Sequence, residues 1–333
     1  MLTLTVPGLV RPGEWTLSTL PSARALARHV NATIQERQGL GTALCVALSL
    51  PRETPLAPLA AMGAGLSVDD RYTISATPVT LVADRDAVVL VGPVNDLGAD
   101  EASALTELLN RHFVADGVLF DAPRPAAWFA RCDRPFSLST NSIDAAAGRP
   151  IAEFLPTGPD AKMWQRWQVE IQMLFHEHAI NNDRVARGAA PVSGVWLAGN
   201  GRLADVAPPA LTSVFASADA SGDLARGLAH RAGLSADTLP TKFSAILDRI
   251  RGSGHSLVAM EPISNQANVV RFDTAWLQPV MDALESGQLA ALQLIADGQG
   301  TAITWRAKHP SRFARMTARL RASALHIPSS AEE

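Results

Sequence analysis

Three short stretches carry residue types and spacings that could do chemistry. His176-Glu177-His178 offers two imidazoles and a carboxylate, the donor types of a metal site. A zinc-binding helix needs its histidines four apart to share a face, whereas positions two apart diverge by about 200°. One imidazole then faces a core or cleft while the other is wet, and a histidine near a helix C-terminus also complements the macrodipole. Gly199-Asn200-Gly201 follows an apolar run, and glycines there let a backbone approach a phosphate. No third glycine opens a helix behind it and Pro208-Pro209 interrupts the region, so a tight turn lining a cleft describes it better than a dinucleotide fingerprint. Asp297-Gly298 closes the run Leu292 to Ala296, where α/β proteins place metal ligands or catalytic acids, with a simple turn as the competing reading.

The remaining candidates carry less. Asp69-Asp70, Asp84 and Asp86 read as solvated turn residues. Cys45 and Cys132 stand far apart in different contexts and read as buried free thiols, not as a disulfide or a paired metal site. A Ser-His-Asp arrangement is assembled only by a fold and cannot be read from spacing.

The elements that must position these residues emerge from periodicity. Met1 to Val6 reads as a buried strand ending at Pro7-Gly8, and Pro21 to Arg37 has helical spacing through Leu26, Val30 and Ile34. Leu40 to Leu50 is apolar and fits strand or helix, and Pro51, Pro55 and Pro58 make the adjoining stretch irregular. Thr73 to Val82 and Ala87 to Val91 read as a hairpin, Asp100 to Phe113 as a helix, and Val118 to Asp121 and Trp128 to Arg131 as short strands. That cluster describes a small α+β unit. Asp160 to His178 is a long helix, and from Val195 strand and helix alternate as in a mostly parallel sheet. The strands are Val195 to Ala198, Thr212 to Ala216, Ser256 to Met260, Ala291 to Ala296 and Ala302 to Arg306. The helices are Asp219 to Ala232, Phe243 to Arg251, Asp273 to Glu285 and Ser311 to Ala324. The expected architecture is an α/β core made of residues 1–66 and 158–333, with helices on both faces of a mostly parallel sheet. A smaller α+β domain, 67–157, is inserted between the two parts.

Composition narrows the function. At 333 residues and 47% hydrophobic content the chain can build a large core, and a formal charge of −3 gives no basic excess for nucleic acid or an anionic membrane. The N-terminus lacks a charged n-region, and no apolar stretch approaches the roughly 20 residues that span a bilayer. A cytoplasmic location is expected, with no nucleic-acid or membrane partner.

Read as a string, His178-Ala179-Ile180-Asn181-Asn182-Asp183-Arg184, then Gly188 to Val192, then Val195-Trp196-Leu197-Ala198-Gly199-Asn200-Gly201-Arg202, resembles a signature of the archaeal-type cofactor-independent phosphoglycerate mutases. Pro58 to Leu66 and Ser217 to Gly233 resemble two further blocks of that family, and the chain is similar above all to its bacterial RpfE-type regulatory offshoot. The resemblance implies an alkaline phosphatase-like core and a two-metal site at which a serine takes and returns a phosphoryl group, the metals neutralising non-bridging oxygens and activating the serine. It also shows what this chain lacks. The first strand's metal-binding Asp is replaced at Val6-Pro7-Gly8, and the nucleophile motif corresponds to Gly39-Leu40-Gly41-Thr42-Ala43-Leu44, which puts Leu40 at the serine. The Asp-x-x-x-His after another strand is reduced to a displaced acid and amides in Met260 to Asn268, and the last Asp-His keeps only Asp297. One remaining ligand cannot hold two hard cations.

The resemblance therefore implies a mutase-like protein without metals, cofactors or serine nucleophile, acting as a regulatory or ligand-binding protein. Its retained His178, Asn181, Arg184, Gly199, Gly201, Arg202 and Asp297 would hold a small phosphorylated or acidic ligand, with or without a protein partner. The alternatives are an enzyme of altered chemistry using Asp297, His178 and Arg184, and a surviving phosphomutase or phosphatase whose metal site is rebuilt by distant residues.

Overall fold

The computed structural model describes residues 1–10, 22, 30–36, 39–85, 87–252, 254–298 and 301–309. Twelve described strands form two sheets. In the larger, β1 (Leu2–Val6) lies between β10 (Ser256–Ala259) and β11 (Ala291–Gly298), parallel to both. All five β1 residues are buried, the polar Thr3 and Thr5 included, as fits a central strand covered on both faces. Outward from β10 come β8 (Ser213–Ala216) and the short β9 (Asp237–Thr238), both parallel. Outward from β11 come β12 (Thr301–Lys308) and β2 (Val30–Glu36), each antiparallel to its neighbour. The order is β2-β12-β11-β1-β10-β8-β9, a mostly parallel sheet with an antiparallel edge.

Each face of this sheet has its own core. On one face Leu2, Leu4, Phe215, Leu294 and Trp305 pack with Phe272, Trp276, Leu277 and Leu284. These come from α7 (Gln266–Phe272), a π-helical turn at Asp273–Leu277 and α8 (Gln278–Glu285), one continuous helical stretch. On the other face Leu257, Val214 and Ile295 pack against α1 (Leu40–Ala47), α2 (Leu56–Gly63) and α6 (Asp223–Arg231). Helices α2 and α6 touch backbone to backbone. A Cβ on Gly227 would lie 1.9 Å from the Leu59 carbonyl oxygen, and one on Gly63 1.8 Å from that of Asp223.

The second sheet is antiparallel: β4 (Ala87–Pro93), β3 (Tyr72–Asp84), β6 (Ala127–Cys132) and β5 (Val118–Arg124), with β7 (Gly194–Gly201) also paired to β3. Its core joins these strands to α3 (Ala99–Phe113) and α4 (Ala161–His176) through Leu105, Leu109, Trp128, Trp164, Ile171 and Phe175. Arg124 of β5 grips the buried Asp223 of α6, its Nε 3.1 Å from Oδ2, and so ties the two units together.

The structure corrects several expectations. Val30 to Glu36 is a strand, not the end of a helix, because Val30 and Ile34 satisfy an i, i+4 and a period-two pattern equally and the segment is rich in β-branched residues. The rest of that expected helix, apart from Ser22, and the expected helix from Ser311 lie outside the described residues. The ambiguous Leu40 to Leu50 run is helical as far as Ala47. Strand β7 belongs to the antiparallel unit, not the parallel sheet. With α4 beside it, that unit continues past the expected boundary at residue 157. Phe243 to Arg251 is broken into a 3-10 turn and a four-residue helix. Among the described residues no helix is long and apolar enough to cross a membrane.

Candidate functional site

The parallel strands end at a rim where the turn after β1 meets Asp297 near the end of β11. After Val6 the chain turns at Gly8, whose φ of +70° and whose contact with the Ile263 carbonyl, 2.7 Å from where a Cβ would stand, leave room only for glycine. The Gly8 N–H donates to Asp297 Oδ1 at 2.6 Å, and the Val10 N–H to the Asp297 carbonyl at 3.1 Å. Pro7, where the resemblance would place a metal-binding Asp, accepts a hydrogen bond from the Ile263 N–H at 2.9 Å.

Beside this latch stands a residue that no motif singles out. Asp144 lies on a one-turn helix, Ile143–Ala146, whose N-cap Ser142 accepts from the Ala145 N–H at 3.3 Å. Its carboxylate faces the N-terminus of α1: a Cβ on the N-cap Gly39 would lie 2.5 Å from Asp144 Oδ2 and 3.3 Å from Ser142 Oγ. Burial, and then the charge of Asp297, push the Asp144 pKa up to about 6. A carboxylate from the antiparallel unit thus stands at a helix N-terminus, whose partial positive charge favours an anion, within electrostatic reach of Asp297. The only sequence clue was local, a serine cap before a short helical turn. Nothing in spacing brings residue 144 to residue 39.

A cleft of about 550 Å³ opens next to this point, between the two units. Thr42 of α1, Ser142, Ser75 and Thr77 of β3, Arg52 and Gly199 line it. Arg52 is exposed and makes no ion pair among the described residues. The Gly-Asn-Gly segment is not a free turn: it is a bulge within β7, where Thr73 to Ser75 of β3 spans Ala198 to Gly201 of its partner. Gly199 (φ +65°) rests against α2, with the Ala57 nitrogen 3.2 Å from where a Cβ would stand. At Gly201 a Cβ would meet Pro55 Cγ at 2.5 Å. These glycines serve close packing between units. Asn200 completes the wall, its Nδ2 donating to Tyr72 Oη at 2.5 Å and to the Leu138 carbonyl at 3.0 Å, while Thr140 Oγ1 donates to its Oδ1 at 2.7 Å. The Nε of Arg202, just beyond, is buried with no hydrogen-bond partner among the described residues.

The other expected ligand-binding residues lie inside the antiparallel unit. His178 does not end a helix. It caps the start of α5 (Ala179–Ala186), its Nδ1 accepting from the Ile180 N–H at 3.3 Å. Asn181 is buried and pins the following loop, donating to the Phe175 and Val192 carbonyls at 2.7 and 2.9 Å and accepting from the Val192 N–H at 2.8 Å. Arg184 is fully buried. Its Nε donates to the Ala190 carbonyl at 2.7 Å, Nη1 to Glu101 Oε2 at 2.9 Å and Nη2 to Asp96 Oδ1 at 2.6 Å, leaving no exposed face for a ligand. Burial alone would raise Glu101, but the Gly98 N–H, Arg187 and Arg184 hold it below the usual carboxylate range. The structure thus brings Gly199 to the α2 side of the cleft, with Gly201 against Pro55, and Asp297 to the strand ends, and keeps His178, Asn181 and Arg184 apart from both. Cys45 and Cys132 are buried free thiols pushed up to about 12, in each case mainly by burial.

Among the described residues no three His, Cys, Asp or Glu side chains come together to hold a metal ion. No family model and no curated protein matches this chain. Among solved structures it is similar to a cofactor-independent phosphoglycerate mutase from Thermoplasma acidophilum, at 17% identity over 92% of this chain and 89% of that one, with a TM-score of 0.42. It is also similar to the PH0037 protein of Pyrococcus horikoshii, at 13% identity over 93% and 88%, with a TM-score of 0.47.

Proposed function

We propose that this protein is a phosphoglycerate mutase-like scaffold of the RpfE type that no longer performs two-metal phosphoryl transfer and acts as a regulatory or ligand-binding protein. The observation that carries this reading is Asp144. At the start of α1, where the sequence resemblance puts the nucleophilic serine and the incoming phosphoryl group, the chain presents its own carboxylate. A phosphoryl oxygen approaching Leu40 would meet a like charge there, with Asp297 adding a second. Pro7 and Leu44 supply no donor to offset them. A small polar or anionic ligand has a better place in the neighbouring cleft, against Arg52 and the hydroxyls of Ser75, Thr77 and Ser142.

Metal analysis of the purified full chain, together with mutase and phosphatase assays in added manganese or zinc, tests this. The reading expects well under one ion per chain and no turnover. Two ions per chain with turnover would overturn it. One electrostatic relationship favours a second reading, an enzyme of altered chemistry: Asp144, raised towards neutrality by burial and then by the charge of Asp297, has the pattern of an acid beside a base. Metal-independent hydrolysis of a phosphate ester that disappears in Asp144→Asn would favour that alternative.

A further inference from the structure

On the opposite face of the seven-stranded sheet from α1 and α2, a cavity of about 260 Å³ opens just past the C-terminal ends of β9 and β10. Ligands of open α/β sheets bind at such ends. Its floor is apolar, made by Leu239 and by the buried rings of Phe272 and Trp276, the latter carried on the π-helical turn. A π-turn inserts an extra residue into a helix and recurs at functional sites. The polar lining includes Glu261, Asn268 and Arg271. Glu261 and Arg271 are both exposed, and neither forms an ion pair or side-chain hydrogen bond with any described residue. A carboxylate and a guanidinium thus border one small cavity, each without a partner among the described residues, above an apolar floor.

We infer that this cavity binds a small zwitterion with an apolar body, of which a free hydrophobic α-amino acid is the simplest form. Its carboxylate pairs with Arg271, its ammonium with Glu261, and its side chain lies on Leu239, Phe272 and Trp276. Opposite charges at one rim select a ligand bearing both, since a plain acid leaves Glu261 to repel it and a plain amine leaves Arg271 to do so. The volume is below the roughly 300 to 1,000 Å³ of pockets for drug-sized molecules, which suits so small a ligand.

Calorimetric titration of the full chain with L-leucine and L-phenylalanine, beside 4-methylpentanoate, 3-phenylpropanoate and isoamylamine, tests the assignment. At least one amino acid should bind about tenfold or more tightly than the acid or amine of the same skeleton. Arg271→Gln and Glu261→Gln, both at exposed positions, should each remove that preference while leaving the melting temperature unchanged. Thr241→Trp, which fills the cavity from its loop, should abolish binding. Absence of binding by both amino acids, equal affinity for amino acid and parent acid, or a preference that survives both charge substitutions would overturn the inference.

Discussion

The backbone N–H of Gly8 and the Oδ1 of Asp297 lie 2.6 Å apart, so the first strand and the strand beside it are fastened at their ends by a single carboxylate. Gly8 can make that bond because its φ is +70° and no side chain stands between it and the Ile263 carbonyl. Gly8→Ala should therefore cost about 2 kcal/mol or more, from strain at positive φ together with the clash. Urea denaturation measures it. A loss within a few tenths of a kcal/mol would show that the turn relaxes freely.

Asp144 should make stability depend on pH. Its folded pKa is about 6 against an ordinary 3.8, so the folded chain holds the proton more tightly than the unfolded chain does. That contribution is fully present below pH 3.8 and is lost as pH rises through 6. Asp144→Asn, neutral throughout, should gain on the wild type across this window by about 3 kcal/mol. Parallel denaturation curves at each pH give the difference, and a constant gap between the two proteins would contradict the assignment.

Arg184 is an internal fastener. Replacing it with methionine leaves Asp96 without its cation, Glu101 with Arg187 alone and the Ala190 carbonyl without its donor, which should cost about 3 kcal/mol. Lysine should rescue little, because one ammonium cannot reproduce three directed N–H bonds. Thermal melts of the two variants decide it, and a lysine variant as stable as the wild type would refute the geometric argument.

The crossing of α2 and α6 depends on having no side chain at its centre. Gly227→Ala would place a methyl 1.9 Å from the Leu59 carbonyl oxygen and force the helices apart, with an expected loss of about 2 to 3 kcal/mol. Ala225, on the same helix and also buried, gives a control for a milder change: Ala225→Gly should cost about 1 kcal/mol. Equal losses at the two positions would show that the close approach is not what matters at Gly227.

Much of the fold was legible because periodicity reports burial. The five-residue run of β1, the amphipathic helix at Ala99–Phe113 and the hairpin of β3 and β4 can be read directly from their patterns. Patterns do not report partners. Val195 to Leu197 is equally apolar whether its neighbours run parallel or antiparallel, so the pairing of β7 with β3 was out of reach. The site was harder still. Arg184 has the chemistry of an anion binder, and only the arrival of Asp96 and Glu101, more than 80 residues earlier in the chain, converts it into a structural cation. Asp144 shows the converse, an ordinary surface-type residue that the fold carries to a helix N-terminus.

Thr73, at the start of β3, and Gly201, at the end of β7, are register partners. The polypeptide therefore leaves the α/β core and comes back to it through one doorway. The chain between them is joined to the core covalently only through two neighbouring strands, so a short turn joining these residues is the natural excision scar for obtaining the core by itself. By the same token, the cleft beside Gly199 is held at its width by the close packing of Gly199 and Gly201 against Ala57 and Pro55, and by the buried contact of Ala61 with Phe129.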